Sequence, residues 1–255
     1  MVTLTPYSMA LDYHENTKSL SSILPYDERA QYKIYPATKT IPLKKNYSII
    51  ERQDKDIFMQ TLLSRKSTRA FSDESIDMAT LSKLLTLSCG LRNDGVGLHN
   101  RTYASAGGRY PIEVYIVLFK PSDIEPGIYH FNVLDNNLEM INAGNQCEGI
   151  RNFYSNQDGI IATDYPCLIL FSMVFKRTME KYGERGYRFI LLDAGHMGQN
   201  LYMVSTYLGL GIVGLGAGSK SDDEIDNYLG LTSSEENVFY GFAVGHPQKL
   251  INAQH

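Results

Sequence analysis

The sequence contains few cysteines, no apolar run long enough to span a bilayer and little excess charge. Its three cysteines (Cys89, Cys147 and Cys167) form no CxxC pair, which favours a reducing cytosol over a disulfide framework. The longest apolar stretches, such as CLILFSMVF, have the length of a strand. A formal net charge of -4 argues against a general affinity for nucleic acid. The first residues also lack the basic and apolar regions of a signal peptide, so we expect a soluble, cytoplasmic protein.

Several common catalytic motifs are missing as well. The sequence has no HExxH motif, Walker loop or GxSxG nucleophile elbow, and we predict no metal site. Residues 209–214, GLGIVG, match GxGxxG but follow a predicted helix and run into a strand, the reverse of a dinucleotide fingerprint. His14 beside Glu15 lacks a second histidine at helical spacing and is interpreted as structural. His196 is interpreted as a core histidine.

The length and the apolar content of 43% are typical of one globular domain with an additional arm. We place the arm at residues 1–53 and the domain at residues 54–255. In the arm, LDYHENTKSL predicts a short helix, and prolines keep YKIYPATKTIPLKK extended. Because the arm is rich in tyrosine and has no strong apolar face, we expect it to wrap around the domain or a second subunit.

A long helix is predicted over Tyr187–Leu208, where apolar residues fill most of the circumference. This pattern suits a helix buried at the centre of a domain or clamped in a dimer. A shorter helix is predicted over Asp77–Cys89, and SDDEIDNYLG predicts a capped helix. The strand-like segments are IEVYIVLF, the hairpin GIYHF and NLEMI, PCLILFSMVF, GIVGLGAG and NVFYGFAVGHP.

Another helix is predicted over Asp54–Leu63, with Asp54 as a possible cap. We expect Ile57, Phe58 and Leu62 on this helix to turn inward.

A basic segment follows that helix. Arg65, Lys66 and Arg69 cluster around Ser67 and Thr68 within five residues. Two guanidiniums and hydroxyls at this spacing suit a phosphate monoester, because arginine binds pairs of oxygens bidentately and serine adds a neutral donor. A solvated basic turn is the alternative interpretation.

Two further segments are candidate parts of a ligand site. Ser105–Gly108 has almost no side-chain bulk, so its backbone can approach a flat ligand closely, although a plain loop is the alternative. Lys181 and Tyr182 form a titratable pair beside Gly183, just ahead of the long helix. They are candidates for aiming chemistry at a buried ligand, and an exposed charged turn is the alternative.

These motifs together resemble one family, the SagB-type (ThcOx/McbC-like) FMN-dependent dehydrogenases of the nitroreductase superfamily. The resemblance runs over nearly the whole chain, and its main departure is Ala104, where the family usually has proline. The segments that carry it are LDYHENTK, YKIYPATKTIPL, SRKSTRAFSDESI, ASAGGRYPIEVYIV, EPGIYHF and EKYGERGYRFILLDAGHMGQNLYM.

The resemblance implies an α+β homodimer with a central, mostly antiparallel sheet flanked by helices and FMN at the subunit interface. It implies that the phosphate and ribityl chain are held by Arg65, Ser67 and Arg69. It implies that the isoalloxazine lies along residues of the other subunit, namely Ser105, Ala106 and Gly107. Backbone groups near the reactive ring nitrogen would come from Gly214, Leu215 and Gly216.

The resemblance further implies oxidation of thiazoline or oxazoline rings in a ribosomally made peptide to thiazoles or oxazoles. Lys181 and Tyr182 match the positions that the family uses for the base, and which of the two removes the proton stays open. The implied partners are the modified precursor peptide and cyclodehydratase proteins. One alternative is an NAD(P)H-dependent reductase of the same superfamily acting on a dehydroamino acid, a nitro group or an enone. Another is a cofactor-free scaffold that binds the peptide.

Overall fold

The computed structural model describes residues 8–18, 33, 41–42, 56–92, 100–144, 147–155, 164–216 and 222–248. Within these ranges, six strands form one antiparallel sheet in the order β3-β2-β1-β4-β6-β5. The strands are β1 (Ile112–Leu118), β2 (Gly127–Asn132), β3 (Asn137–Ala143), β4 (Cys167–Val174), β5 (Gly211–Leu215) and β6 (Glu236–Gly245). The helices are α1 (Ser8–Thr17), α2 (Ile57–Ser64), α3 (Met78–Cys89), α4 (Cys147–Ser155), α5 (Phe175–Tyr182), α6 (Arg185–Tyr207) and α7 (Asp223–Leu229). The predicted α+β fold is therefore confirmed.

Both faces of the sheet are covered. Successive side chains of a strand point to opposite faces. Ile169 and Phe171 of β4 join the apolar cluster shared with α3 and α6, and Leu168 and Leu170 join the cluster shared with α4 and α7. Strands buried on both faces have continuous apolar sequences, which is why β1 and β4 were readily predicted.

Helix α6 crosses one face of the sheet and contacts both parts of the candidate site. Gly198 allows a close approach, because an added Cβ would come within 2.9 Å of the Phe242 ring. One face of α6 is buried, and it contains Ile190, Ala194, Met197 and Leu201, which recur at helical spacing. The remaining circumference exposes Leu191, Leu192 and Tyr207. Burial at the centre of the domain thus holds for one face only, and coverage of the other face by a second subunit stays a prediction.

Helix α2 differs from its prediction in both cap and orientation. Its N-cap is Asp56, whose carboxylate accepts a hydrogen bond from the Phe58 N–H at 2.9 Å. Asp54 lies outside the described residues. The side chains expected to turn inward are exposed, by 60% for Ile57, 64% for Phe58 and 43% for Leu62. The prediction was wrong because an apolar helix face does not reveal whether its own domain or another protein covers it.

Two helices and one histidine were also misjudged. No helix was predicted for α4, and the first residue of α5, Phe175, was assigned to the preceding strand. His196 is exposed rather than buried in the core, and its Nδ1 lies 3.1 Å from the Ala104 carbonyl oxygen.

The helix predicted within the arm is α1, which packs against the start of α6. The Glu184 carboxylate accepts hydrogen bonds from the backbone N–H groups of Met9 at 3.2 Å and Ala10 at 2.6 Å. His14 is buried, and its Nδ1 lies 3.1 Å from the Tyr187 hydroxyl, in line with a structural role. The extended part of the arm lies outside the described residues except for residues 33, 41 and 42.

All three cysteines are buried and free. Burial raises the pKa of the Cys89 and Cys167 thiols to about 12 and that of Cys147 to about 11. The absence of a disulfide framework agrees with the prediction from the sequence.

Among the described helices, none has both the length and the apolar character that crossing a membrane requires.

Candidate functional site

One part of the candidate site is organised by the Tyr202 side chain on α6. Its hydroxyl accepts a hydrogen bond from the Gly214 N–H at 2.8 Å and lies 3.4 Å from the Ser67 hydroxyl. The Arg65 guanidinium carbon lies 5.4 Å from the centroid of the Tyr202 ring, within the range of a cation–π contact. We call Arg65, Ser67, Tyr202 and Gly214 the cationic cluster. Two segments that the sequence assigned to one ligand therefore meet around a tyrosine that the sequence did not single out.

The basic segment, residues 65–69, lies against β5. The Thr68 N–H donates to the Ile212 carbonyl at 2.9 Å, and an added Cβ on Gly211 would lie 2.6 Å from the Thr68 methyl group. This close contact brings the 65–69 segment to the start of β5, while Gly214 and Gly216 lie at its end. Arg69 and Gly216 are exposed, whereas the Leu215 side chain is buried in the core. Only backbone groups of Leu215 are therefore available to a ligand.

The second part of the site is the 105–110 loop, which is held by Asp193 of α6. The Ser105 hydroxyl donates to one carboxylate oxygen of Asp193 at 2.5 Å, and the Ala106 N–H donates to the other at 3.2 Å. The Ser105 oxygen in turn accepts from the Tyr110 N–H at 2.8 Å. Burial raises the pKa of Asp193, which is only 2% exposed, against the opposing effect of these hydrogen bonds. A buried carboxylate with such donors fixes the loop backbone.

This loop meets the predicted catalytic pair within one chain. Gly107 has a φ of 63°, and an added Cβ there would lie 2.4 Å from the Tyr182 hydroxyl and 2.9 Å from the Lys181 ammonium. The ammonium lies 5.1 Å from the centroid of the Tyr182 ring. Helix α5 ends at Gly183, whose φ of 57° is unfavourable for other residues. We call Ser105, Ala106, Gly107, Lys181, Tyr182 and Asp193 the loop cluster.

Arg177, four residues before Lys181 on α5, ties this helix to the far end of the loop. Its Nη1 donates to the Tyr110 carbonyl at 3.1 Å and forms an ion pair with Glu113. Burial opposes the charged form of Glu113, but hydrogen bonds and charges from His130 and Arg177 outweigh burial and lower the pKa of its carboxyl. The hydrogen bond between His130 and Glu113 also raises the pKa of His130. The network keeps α5 and the loop in register.

The two clusters lie far apart in one chain. Asp193 and Tyr202 are nine residues apart on α6. This spacing corresponds to about 13 Å along the helix axis and about half a turn around it. The loop cluster and the cationic cluster are therefore reached from opposite faces of one helix.

Three residues of the site were not recognised in the sequence: Asp193, Tyr202 and Arg177. A signal existed for Asp193 alone. It lies at helical spacing from the apolar positions 190 and 197, and a carboxylate on a buried face implies a specific partner.

If the loop holds the FMN ring, as the resemblance implies, Gly107→Ala should lower both flavin content and turnover far more than Gly108→Ala. Both glycines have a positive φ, 63° and 64°, which costs an alanine roughly 1 kcal/mol or more at either position. Only at position 107 would the added methyl group collide with Tyr182 and Lys181, since nothing lies within 4 Å at position 108. Flavin content and steady-state kinetics of both variants measure the difference. Equal losses would mean that backbone strain alone matters and that the loop does not adjoin the pair.

Comparison with known proteins gives the same family as the sequence motifs. The family model described as "Nitroreductase family" matches residues 62–246, so the chain belongs to the nitroreductase family. It is 28% identical over 156 residues to the nitroreductase homologue MJ1384 of Methanocaldococcus jannaschii, a match covering 61% of this chain and 76% of that protein.

Similarity to peptide-processing proteins confirms the SagB-type (McbC-like) resemblance. The chain is 27% identical over 145 residues to the microcin B17-processing protein McbC of Escherichia coli. That match covers 55% of this chain and 52% of McbC. A solved E. coli microcin synthetase McbBCD complex, with truncated pro-MccB17 bound, contains a chain of the same fold. The TM-score is 0.75 at 20% identity, and the superposition covers 96% of this chain and 94% of that one.

Proposed function

We propose that this protein is an FMN-dependent dehydrogenase that oxidises thiazoline or oxazoline rings in a ribosomally made peptide. The observation that carries the proposal is the position of Lys181 and Tyr182 against Gly107 of the Asp193-held loop. This arrangement places two titratable side chains beside backbone that can take a flat ring. Similarity to McbC, a protein named for peptide processing, supports the substrate class.

The residues of both clusters fit FMN. Arg65 and Arg69 would pair with the phosphate, with Ser67 as a neutral donor. The small residues Ser105–Gly107 would lie along the isoalloxazine, and Gly214–Gly216 would offer backbone groups to its ring. When bound, FMN supplies the acceptor for a hydride. The protein residues would hold the phosphate, leave room for the flat ring and place a base beside it.

We propose that each site is shared by two copies of the chain. The two clusters of one chain lie on opposite faces of α6, so a single flavin is best served by the cationic cluster of one copy and the loop cluster of its partner. The exposed apolar surface agrees with a homodimer: Ile57 and Phe58 of α2 and Leu192 of α6 are each at least 58% exposed. Large apolar patches of this kind mark protein interfaces.

In the proposed reaction the pair Lys181 and Tyr182 removes one proton from the ring while the adjacent carbon gives up a hydride. The short separation of both side chains from Gly107 allows either to serve as the base, with the other as the charged or hydrogen-bonding neighbour. We further propose the modified precursor peptide and a cyclodehydratase as partners, and the cytoplasm as the location.

The visible absorption spectrum of the purified protein is the first test. We expect oxidised FMN at about one per chain, identified after release, because the site supplies an anion grip and apolar cover. Arg65→Ala and Arg69→Ala should lose most of the flavin, whereas Lys66→Ala, an exposed cation in the same segment, should keep it. A colourless protein that takes up no added FMN would instead favour a cofactor-free peptide scaffold.

Turnover of the flavoprotein then separates the two directions of chemistry. Oxidation of an azoline peptide supports the dehydrogenase. Consumption of NAD(P)H with a nitro, enone or dehydroamino acid acceptor, without azoline oxidation, would support the reductase instead.

A further inference from the structure

A groove of about 600 Å³ opens between α1 and the first turns of α6. Met9 and Tyr13 form its apolar wall on α1, and Tyr187 and Leu191 form the wall on α6. A groove of this size exceeds the space that one five-membered ring requires. It suits an extended segment of several residues.

The groove adjoins the catalytic turn. Glu184 and Arg185, which line its edge, follow Gly183 without a gap. One end of the groove therefore lies beside the end of α5, the helix that carries Lys181 and Tyr182.

The charge of the groove is positive. The Glu184 carboxylate is already occupied by the N–H groups of Met9 and Ala10. Arg185 and Arg188 also line the groove and are exposed. Within the described ranges neither of them forms an ion pair with a carboxylate, although Arg185 lies 5.8 Å from the centroid of the Phe189 ring.

The two arginines do not stabilise the helix that carries them. Arg185 is the first residue of α6 and Arg188 the fourth. Cations at a helix N-terminus are unfavourable because the backbone dipole is positive there. Their positions are better explained by an anionic group that binds in the groove.

We infer that the groove binds the segment of substrate peptide that flanks the ring, and that Arg185 and Arg188 favour a segment with an acidic side chain beside an apolar one. This inference rests on the proposed peptide substrate and extends it to sequence preference. The acidic side chain pairs with the arginines, while the apolar side chain packs on Met9 and Tyr13.

The test uses the full-length flavoprotein and three azoline peptides that differ only in one flanking residue: Glu, Gln or Lys. In the unmodified protein we expect kcat/KM to be highest for the Glu peptide, intermediate for the Gln peptide and lowest for the Lys peptide. In the double variant Arg185→Glu, Arg188→Glu, we expect kcat/KM for the Glu peptide to fall about tenfold and that for the Lys peptide to rise. The Gln peptide should change little. Lys176→Glu, an exposed cation on α5 outside the groove, is the matched control and should leave the order unchanged.

Other outcomes would overturn the inference. Equal changes for all three peptides would show that the arginines do not sense the flanking charge. A change of oligomeric state with the peptide order preserved would show that a second copy of the chain covers the groove. If the unmodified protein oxidises no azoline, the proposed function fails. Fluorescence anisotropy of labelled Glu and Lys peptides on the flavoprotein still tests the groove in that case, and equal affinities would reject it.

Discussion

Lys181→Ala and Tyr182→Phe are each expected to lower kcat for azoline oxidation while FMN stays bound, the loss reaching at least about 10²-fold for the residue that removes the proton. Both side chains lie against Gly107, where the ring to be oxidised would meet the flavin, so the loss falls on the chemical step. Neither residue belongs to the segment that we propose holds the FMN phosphate. Flavin content should therefore change little.

The two variants also separate the roles of the pair. The residue whose removal costs more in kcat and shifts the pH profile is the base, and the other is its charged or hydrogen-bonding neighbour. Tyr207→Phe and Lys176→Ala alter exposed side chains of the same types outside both clusters and should retain full activity. If both Lys181→Ala and Tyr182→Phe oxidise azolines at the normal rate with FMN bound, the base lies elsewhere.

Mixed dimers should recover activity that neither parent variant has. Arg65→Ala with Arg69→Ala removes the two arginines proposed to pair with the phosphate, one of them in the cationic cluster, and Lys181→Ala with Tyr182→Phe damages the loop cluster. If each site combines one cluster from either copy, a mixed dimer contains one intact site and one doubly damaged site. Random pairing makes half of the dimers mixed, so we expect about a quarter of the normal activity from chains that each have almost none.

Co-expression with two different affinity tags, followed by kinetics on the doubly purified mixed dimer, measures this recovery. The purified mixed dimer should have about half the normal activity per dimer, because one of its two sites is intact. Two copies of the chain that carry both sets of substitutions are the control and should stay inactive. No recovery in a mixed dimer that still binds flavin would show that both clusters of one chain serve the same site.

Much of the fold, and several segments of the candidate site, could be predicted because their sequence signals are local. The continuous apolar sequences of β1 and β4 indicated strands buried on both faces. Lys181 and Tyr182 were singled out beside Gly183; they form the end of α5, and Gly183 follows with a positive φ. Short motifs of this kind are recognised from a few neighbouring residues.

The site residues that were missed share a physical cause, which is long-range contact. Asp193 binds residues 87 and 88 positions away, and Tyr202 contacts Ser67 across 135 positions. Nothing within either local segment specifies such a partner. The exposed face of α2 was misplaced for a related reason: the sequence indicates that Ile57 and Phe58 avoid water, and it does not say which chain covers them.

The buried cysteines affect how the protein would tolerate hydrogen peroxide. If dioxygen reoxidises the proposed flavin, it takes up two electrons and two protons and leaves as hydrogen peroxide. Peroxide attacks thiolates rather than thiols. With the thiol pKa values of Cys89 and Cys167 raised to about 12 and that of Cys147 to about 11, almost no thiolate exists at neutral pH. The chain thus offers peroxide no reactive cysteine, and we expect all three cysteines to stay in the reduced form during repeated turnover.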